Sequence, residues 1–428
     1  MPKFKELFNL KRLYYGWVIV LLALFIVPAQ GIAVYSFGIF LRPLTLEFGW
    51  ERGAASGAFS AMMLIGGGLA IIAGRLADKY GPRLLLTING LLYGLGFLLI
   101  SRVSSLLQMY LIWGVIMGLA FSCGFIPIVS TIPRWFIKKR GVALGVAVAG
   151  YGLGEIISPP LAQWLISSYG WRQAAIILGI IILVLVIPLA QFMKHSPQRM
   201  GLKPYGEDEK IDESQKQSLL AVRAEPAFAD AVRTGAFWFF SLILFGYSFS
   251  FGVLIVHVAP YAIDMGISAL VAASIVSIVG GASIIGRFST GFISDKMGTR
   301  RVLLIWIAIL TVALIWLVFA REVWMFYLFA AVYGVAYGGI VPLYTLTTAE
   351  LFGLKSLGII SATAFFMGAI GDAIGAPVAG SIFDVSGSYQ LALIICVIIG
   401  VLSVVLSLIL LRSKTQYGED AAKIILKT

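Results

Sequence analysis

Twelve long apolar runs, separated by short polar segments, set the pattern of this chain. They lie roughly at 15–41, 53–74, 84–101, 107–132, 141–166, 173–193, 235–262, 269–293, 302–320, 323–349, 357–382 and 389–411. A helix rises ~1.5 Å per residue and the hydrocarbon core of a bilayer is ~30 Å thick, so each run is long enough to cross. The pattern predicts an all-α membrane protein with twelve transmembrane helices. One polar stretch, 194–234, is much longer than the others and rich in charge, Ser and Gln, as suits a solvated linker. It divides the chain into an N-terminal six-helix bundle (1–193), a cytoplasmic linker (194–234), a C-terminal six-helix bundle (235–412) and a cytoplasmic tail (413–428). A short surface helix is expected near 219–232.

Composition sharpens this picture. The 428 residues are 60% hydrophobic and only 12% charged, too little polar surface to cover a globule in water. Soluble enzymes, nucleic-acid modules and disordered scaffolds are excluded on that ground. The net charge of +12 has a membrane explanation. Of the 32 Lys and Arg, 26 fall on the termini, the linker and alternate loops, and five (Arg42, Arg52, Arg102, Arg172, Arg321) on the opposite loops. The positive-inside rule then places both termini in the cytoplasm, in a multi-pass protein of the cytoplasmic (inner) membrane. One cation remains, Arg287, inside the eighth run. The two cysteines, Cys123 and Cys396, sit within apolar runs and suggest neither a disulfide nor a zinc site. The basic start (Lys3, Lys5, Lys11, Arg12) leads into a run too long for the apolar part of a signal peptide.

The chain also repeats itself. GRLADKYGPR (74–83) and GFISDKMGTR (291–300) match at an offset of 217, which pairs Gly74, Asp78, Lys79, Gly81 and Arg83 with Gly291, Asp295, Lys296, Gly298 and Arg300. The same offset carries Gly49 to Gly266, Pro160 to Pro377, Gln173 to Gln390 and Glu155 to Asp372. Two parallel halves of one design are the mark of a duplicated transporter. The paired loops resemble the signature of the major facilitator superfamily, and the resemblance covers essentially the whole chain. It implies two pseudo-symmetric six-helix bundles. Gly74, Asp78, Arg83, Asp295 and Arg300 are then gating-loop residues, with the two acids pairing with nearby basic side chains to close the cytoplasmic side in the outward-open state.

WFIKKRGVALGVAVAGYGLGEIISPPL (135–161) is similar to the signature of the monocarboxylate transporter family, which combines an aromatic pair, a basic triplet and spaced small residues. On its own, Gly141, Gly145, Gly150 and Gly154 is a packing stripe and Lys138-Lys139-Arg140 a positive-inside anchor. YYGW (14–17) resembles that family's first-helix motif without its leading acid. SPQRMGLKPYGE (196–207) and GAPVAGSIFDVSGSY (375–389) look like bacterial members of this family and of the oxalate/formate antiporters.

Arg287 lies eight residues before Asp295, ~12 Å inside the cytoplasmic end of its helix. A guanidinium at that depth costs at least ~2.5–3.5 kcal/mol, so it needs a partner or a wet cavity. An anionic substrate is one partner, since the planar fork of Arg matches a carboxylate; an acid on another helix is the other. Both families named above carry a carboxylate-binding arginine in this helix. The proton-coupled members often have an aspartate one turn earlier, where this chain has Ser283, which stands beside Arg287 as a further substrate-binding candidate. The oxalate/formate antiporters add a lysine in the eleventh helix, where this chain has none; Lys355 belongs to the preceding loop. One buried positive charge neutralises one carboxylate, which favours a monocarboxylate over oxalate.

Glu155 and Asp372 are the intramembrane acids, each ~22 Å from the cytoplasmic end, and both are proton-coupling candidates. Structural roles at helix crossings are the alternative. The resemblance places helices five and eight, and two and eleven, between the halves, which makes Glu155 the acid closer to Arg287. His257, near the outer end of the seventh helix, is a third proton candidate or a packing residue. His195 and Asp264 lie near loops and read as solvated. In this fold helices one, four, seven and ten line the cavity, so Tyr35 and Tyr337 are placed to bind a substrate hydroxyl, with Gln30, Tyr333 and Tyr344 nearby.

The resulting expectation is an alternating-access transporter of a small monocarboxylate, of the lactate or pyruvate class, moving with a proton. Organic anion exchange of the oxalate/formate kind is the alternative within the class, and a membrane sensor that binds without flux the alternative outside it. No nucleotide-binding motif, metal-ligand pair or nucleophile–base arrangement appears, so no cofactor and no enzymatic activity are expected. The partners are the organic anion, the proton and the lipid bilayer, with no nucleic acid, and a monomer is expected.

Overall fold

The structure is a computed structural model; it describes residues 14–206, 228–353 and 357–412. Lys3, Lys5, Lys11, Arg12, Lys355, most of the expected surface helix at 219–232 and the tail 413–428 lie outside the described residues. Among the described residues twelve helices are long and apolar enough to cross a membrane. We label them α1 (Tyr15–Phe48), α2 (Arg52–Tyr80), α3 (Pro82–Ile100), α4 (Leu106–Trp135), α5 (Arg140–Tyr169), α6 (Trp171–Gln191), α7 (Gly235–Asp264), α8 (Ala269–Met297), α9 (Thr299–Phe319), α10 (Val323–Phe352), α11 (Leu357–Ser386) and α12 (Gln390–Arg412). The end of the bundle that carries residues 192–206 is called the linker face, and the opposite end the far face.

Most helices outrun the apolar windows from which they were expected. The repeated motif, expected as a loop, is mainly the last turns of α2 and of α8. Of its polar residues, Arg83 is held by Gln191, and Thr299 and Arg300 by Glu350, while Lys79, Asp295 and Lys296 are exposed. The turn itself is a single glycine, Gly81 at φ 86° and Gly298 at φ 81°. A side chain would be strained at those angles, and Pro82 at the first helical position then starts α3 with its φ preset. The left-handed glycines Gly49 and Gly266, and Gly170 and Gly387, are also 217 residues apart. The repeat is therefore written in the turns as much as in the charges.

Two helices are interrupted. α1 breaks at Ser36 (φ −95°, ψ −5°), and α4 passes through a π-turn at Tyr110–Ile116 and breaks at Cys123–Gly124. Freed backbone groups inside a membrane must find partners; Asn89 Nδ2 donates to the Ala120 carbonyl at 2.7 Å beside the second break.

Within the first six helices α1 packs on α5, α2 on α4 and α3 on α6; within the last six α7 packs on α11, α8 on α10 and α9 on both α10 and α12. α2 against α11, α5 against α8 and the far-face part of α1 against α7 join the two sets. Glycine makes the close crossings possible, as in other membrane helix pairs. A Cβ on Gly286 would collide with the Val335 carbonyl, and one on Gly338 with the Ser283 carbonyl, so α8 and α10 meet backbone to backbone. That crossing fixes the azimuth of α8 and with it the direction of Arg287.

Candidate functional site

Arg287 is half-buried in the middle of the bundle, on the α8 face that meets the first six helices. Its Nη1 donates to the Val148 carbonyl of α5 at 3.5 Å, and its buried Nε has no partner among the described residues. No ion pair to Arg287 is present among the described residues, so the permanent salt bridge weighed from the sequence is not formed. The groups that interact electrostatically with the guanidinium are Tyr337, Tyr35, Glu155 and Tyr247. They come from α10, α1, α5 and α7, two helices from each half of the chain, and Tyr151 of α5 also interacts with the guanidinium.

Tyr337 anchors an aromatic wall beside the cation. Its ring lies parallel to Phe251 at 5.0 Å, to Tyr247 at 5.9 Å and to Tyr333 at 6.2 Å. Tyr247 hydroxyl donates to the Tyr337 carbonyl at 3.3 Å. Tyr35, just before the break in α1, faces Tyr337 from the other half, hydroxyl to hydroxyl. One guanidinium with unused donors, ringed by phenols, suits a small anion that also carries a hydroxyl or keto oxygen.

Ser283 does not join this arrangement. Its hydroxyl donates to the Gly280 carbonyl at 2.7 Å and it is fully buried where Gly338 crosses, so it packs helices and offers no free donor. Gln30 is likewise drawn aside, against Gly124 and Asn89 at the break in α4. Tyr344 meets Ser248 at 3.4 Å.

Glu155 is fully buried on α5 where Gly280 of α8 crosses it, with neither carboxyl oxygen hydrogen-bonded among the described residues. A small apolar cavity lined by Phe251, Leu254, Val276 and Tyr333 adjoins it. Asp372 is half-buried on α11, its Oδ1 also without a partner, and interacts with Tyr247, Tyr333 and Tyr344. The two repeat-related acids thus flank the aromatic wall from opposite halves.

His257 belongs to another place. Its Nε2 lies 2.8 Å from the Ala376 carbonyl, which can only accept, so Nε2 carries the proton. Nδ1 then accepts from the Tyr389 hydroxyl at 3.0 Å, and Ser56 lies 3.2 Å from Nε2. Asp264, read from the sequence as solvated, sits beside this cluster: both its oxygens take the Arg52 guanidinium, at 2.6 and 3.2 Å. His195, also read as solvated, lies 2.5 Å from Arg134 Nη1 and packs under Gly81. In each case a loop position in sequence became a contact because a distant helix end folds beside it.

The gating-loop candidates all lie at the linker face. Arg83 Nε donates to Gln191 Oε1 at 2.7 Å, and Arg300 Nε to Glu350 Oε1 at 2.7 Å, each within its own half of the chain. Glu350 also accepts from the Thr299 amide at 2.9 Å. Gly74 is half-buried in α2; Asp295 is exposed and makes no ion pair among the described residues; the side chain of Asp78 lies outside them. Three stretches that resemble the monocarboxylate transporter family meet here. Tyr14 hydroxyl donates to the carbonyls of Trp135 and Lys203, each at 2.9 Å. Tyr205 exchanges backbone bonds with Trp135 and Ile137.

Residues the sequence did not single out are Tyr151, Tyr247 and Phe251 at the central site, and Arg52, Asp384 and Tyr389 at the far face. Arg52 carried a signal as one of five cations against the charge bias, and Tyr151, Asp384 and Tyr389 lie inside the family-like stretches 135–161 and 375–389 without standing out from them.

Twelve spanning helices in two sets of six, with the Arg287 guanidinium between them, define the architecture of a membrane transporter. The sequence model of the Major Facilitator Superfamily matches residues 20–376 and 282–424, and the chain belongs to that family. Monocarboxylate transporter 13 of Rattus norvegicus is 27% identical over 395 residues, covering 89% of this chain and 85% of the relative. The Uncharacterized MFS-type transporter YhjX of Escherichia coli (strain K12) is 26% identical over 332 residues, covering 76% of this chain and 78% of the relative. Among solved structures, a bacterial homolog of the human lysosomal transporter Spinster, in an inward-facing and occupied conformation, superposes with a TM-score of 0.71 at 17% identity, covering 94% of this chain and 97% of that one. That likeness concerns the fold.

Proposed function

We propose that this protein carries a small monocarboxylate of the lactate or pyruvate class across the cytoplasmic membrane with a proton, by alternating access, with its termini and linker in the cytoplasm. The observation that carries the reading is Arg287: a half-buried cation inside a spanning helix whose buried Nε is unpartnered among the described residues, set among Tyr35, Tyr247 and Tyr337 from both halves. An uncompensated cation in a membrane interior is expensive, and an arriving carboxylate supplies the missing charge and acceptors. The similarity to monocarboxylate transporters supports the same substrate class. The site holds one cation, so a dicarboxylate would bring a second charge with nothing to meet it.

In this reading Tyr35 and Tyr337, whose hydroxyls meet across the two halves, are separated or bridged as the halves rock, so substrate contact and conformation are linked. Glu155 is the first choice for the proton. Ionised, it would compete with the substrate for Arg287; protonated, it leaves the guanidinium to the anion. Asp372 is second. Gly74, Asp78, Arg83, Asp295 and Arg300 form the cytoplasmic gate.

Thermal shift of the purified protein against a panel of small organic acids tests the substrate class. Lactate and pyruvate should raise the melting temperature, and oxalate should raise it less at equal concentration. Stabilisation by oxalate alone would turn the reading to an oxalate/formate-type exchanger.

A further inference from the structure

At the far face one cation holds the two halves together. Arg52, the first residue of α2, reaches Asp264 at the end of α7 through both terminal nitrogens and donates to the Tyr389 hydroxyl at 2.9 Å. Its guanidinium carbon lies 3.8 Å from the centre of the Phe383 ring. The main-chain amides of Arg52 and Gly53 donate to the two oxygens of Asp384 at 2.8 and 2.7 Å. The N-cap residue of α2, Glu51, makes no capping bond with its own side chain. Thus α2, a helix of the first half, receives its N-terminal anion from α11 of the second.

The internal repeat shows that this arrangement is one-sided. The position 217 residues before Asp264 is Glu47, at the same place in the first half. Glu47 pairs at home, accepting from Arg172 Nη2 at 2.6 Å and Trp171 Nε1 at 2.6 Å. The position equivalent to Arg172 is Tyr389, and the position equivalent to Arg52 is Ala269. The second half therefore lacks the cation that its helix-end acid needs, and the first half provides it across the interface.

We infer that Arg52 is the keystone of an outer latch that holds the far face closed, and that its release sets how often the protein opens to the outside. Opening separates α2 from α7 and α11, which strips Asp264 and Asp384 of their partners together and uncaps α2. His257 extends the latch inward, since Tyr389 accepts from Arg52 and donates to His257, which in turn holds the Ala376 carbonyl of α11. The inference rests on the alternating-access reading and not on the identity of the substrate.

The test is labelling without substrate. Cys123→Ser and Cys396→Ser remove the native thiols, and Leu254→Cys places a reporter below the latch, between His257 and Glu155. In right-side-out vesicles Arg52→Gln should raise the rate of labelling by an external, membrane-impermeant maleimide by roughly tenfold, the factor that one charged hydrogen bond supplies. Asp264→Asn should do the same, and the double variant should gain little beyond either single one, because both break one contact. Tyr389→Arg gives Asp264 a cation at home and should raise labelling with Arg52 intact. Unchanged labelling in folded Arg52→Gln and Asp264→Asn proteins would overturn the latch. Raised labelling with no binding of any monocarboxylate would leave the latch standing and remove the substrate reading.

Discussion

Arg287→Gln is expected to weaken lactate binding at least about thirtyfold, the factor that ~2 kcal/mol represents when one partner of a buried charge pair is removed. Folding should survive, because the guanidinium makes one long hydrogen bond, to the Val148 carbonyl, and leaves Nε unused. Arg287→Lys should recover little. An ammonium keeps the charge but loses the planar fork that meets both carboxylate oxygens. Isothermal titration of the purified variants, with melting temperatures as the control for folding, gives the result. Binding at the wild-type level in the glutamine variant would move the anion site elsewhere.

The second large effect concerns Glu155. The carboxamide of Glu155→Gln imitates a permanently protonated acid in the same buried crossing against Gly280. Exchange of substrate between the two sides of a proteoliposome should persist, because that half-cycle needs only a neutral group beside Arg287. Net uphill uptake driven by a pH gradient should disappear, because the variant cannot release the proton. Asp372→Asn should leave gradient-driven uptake in place. If the two variants behave the other way round, the proton travels with Asp372.

What the sequence disclosed and what it hid follow from how each signal is carried. Arg287 was legible because a lone cation in an apolar run is costly wherever the helix turns it. Glu155 and Asp372 were legible for the same reason and through the 217-residue offset. The family model and the relatives support the fold and transport, both expected from the repeated motif. The tyrosines were only half legible. With 17 of them in the chain, membership of the site depends on helix azimuth, which glycine crossings such as Gly338 against Ser283 decide. Tyr337 and Tyr35 emerged through helix number, whereas Tyr247 and Tyr151 did not. Ser283 misled because a shared helix face does not tell whether a hydroxyl has already bonded its own backbone. Of the far-face cluster only single members were visible, His257 as a titratable residue and Arg52 as a cation against the charge bias, and nothing joined them. Arg52 and Asp264 are 212 residues apart, off the repeat register, and each alone looks like an ordinary loop charge.

A monocarboxylate and a proton should move together through the site at Arg287. Uptake of labelled lactate into proteoliposomes of the wild-type protein, with and without an imposed pH gradient (acid outside), measures it directly. Lactate should accumulate above equilibrium with the gradient, lose that accumulation when a protonophore is added, and alkalinise the outer medium as it enters. Lactate entry that ignores the gradient and requires a counter-anion inside would contradict it.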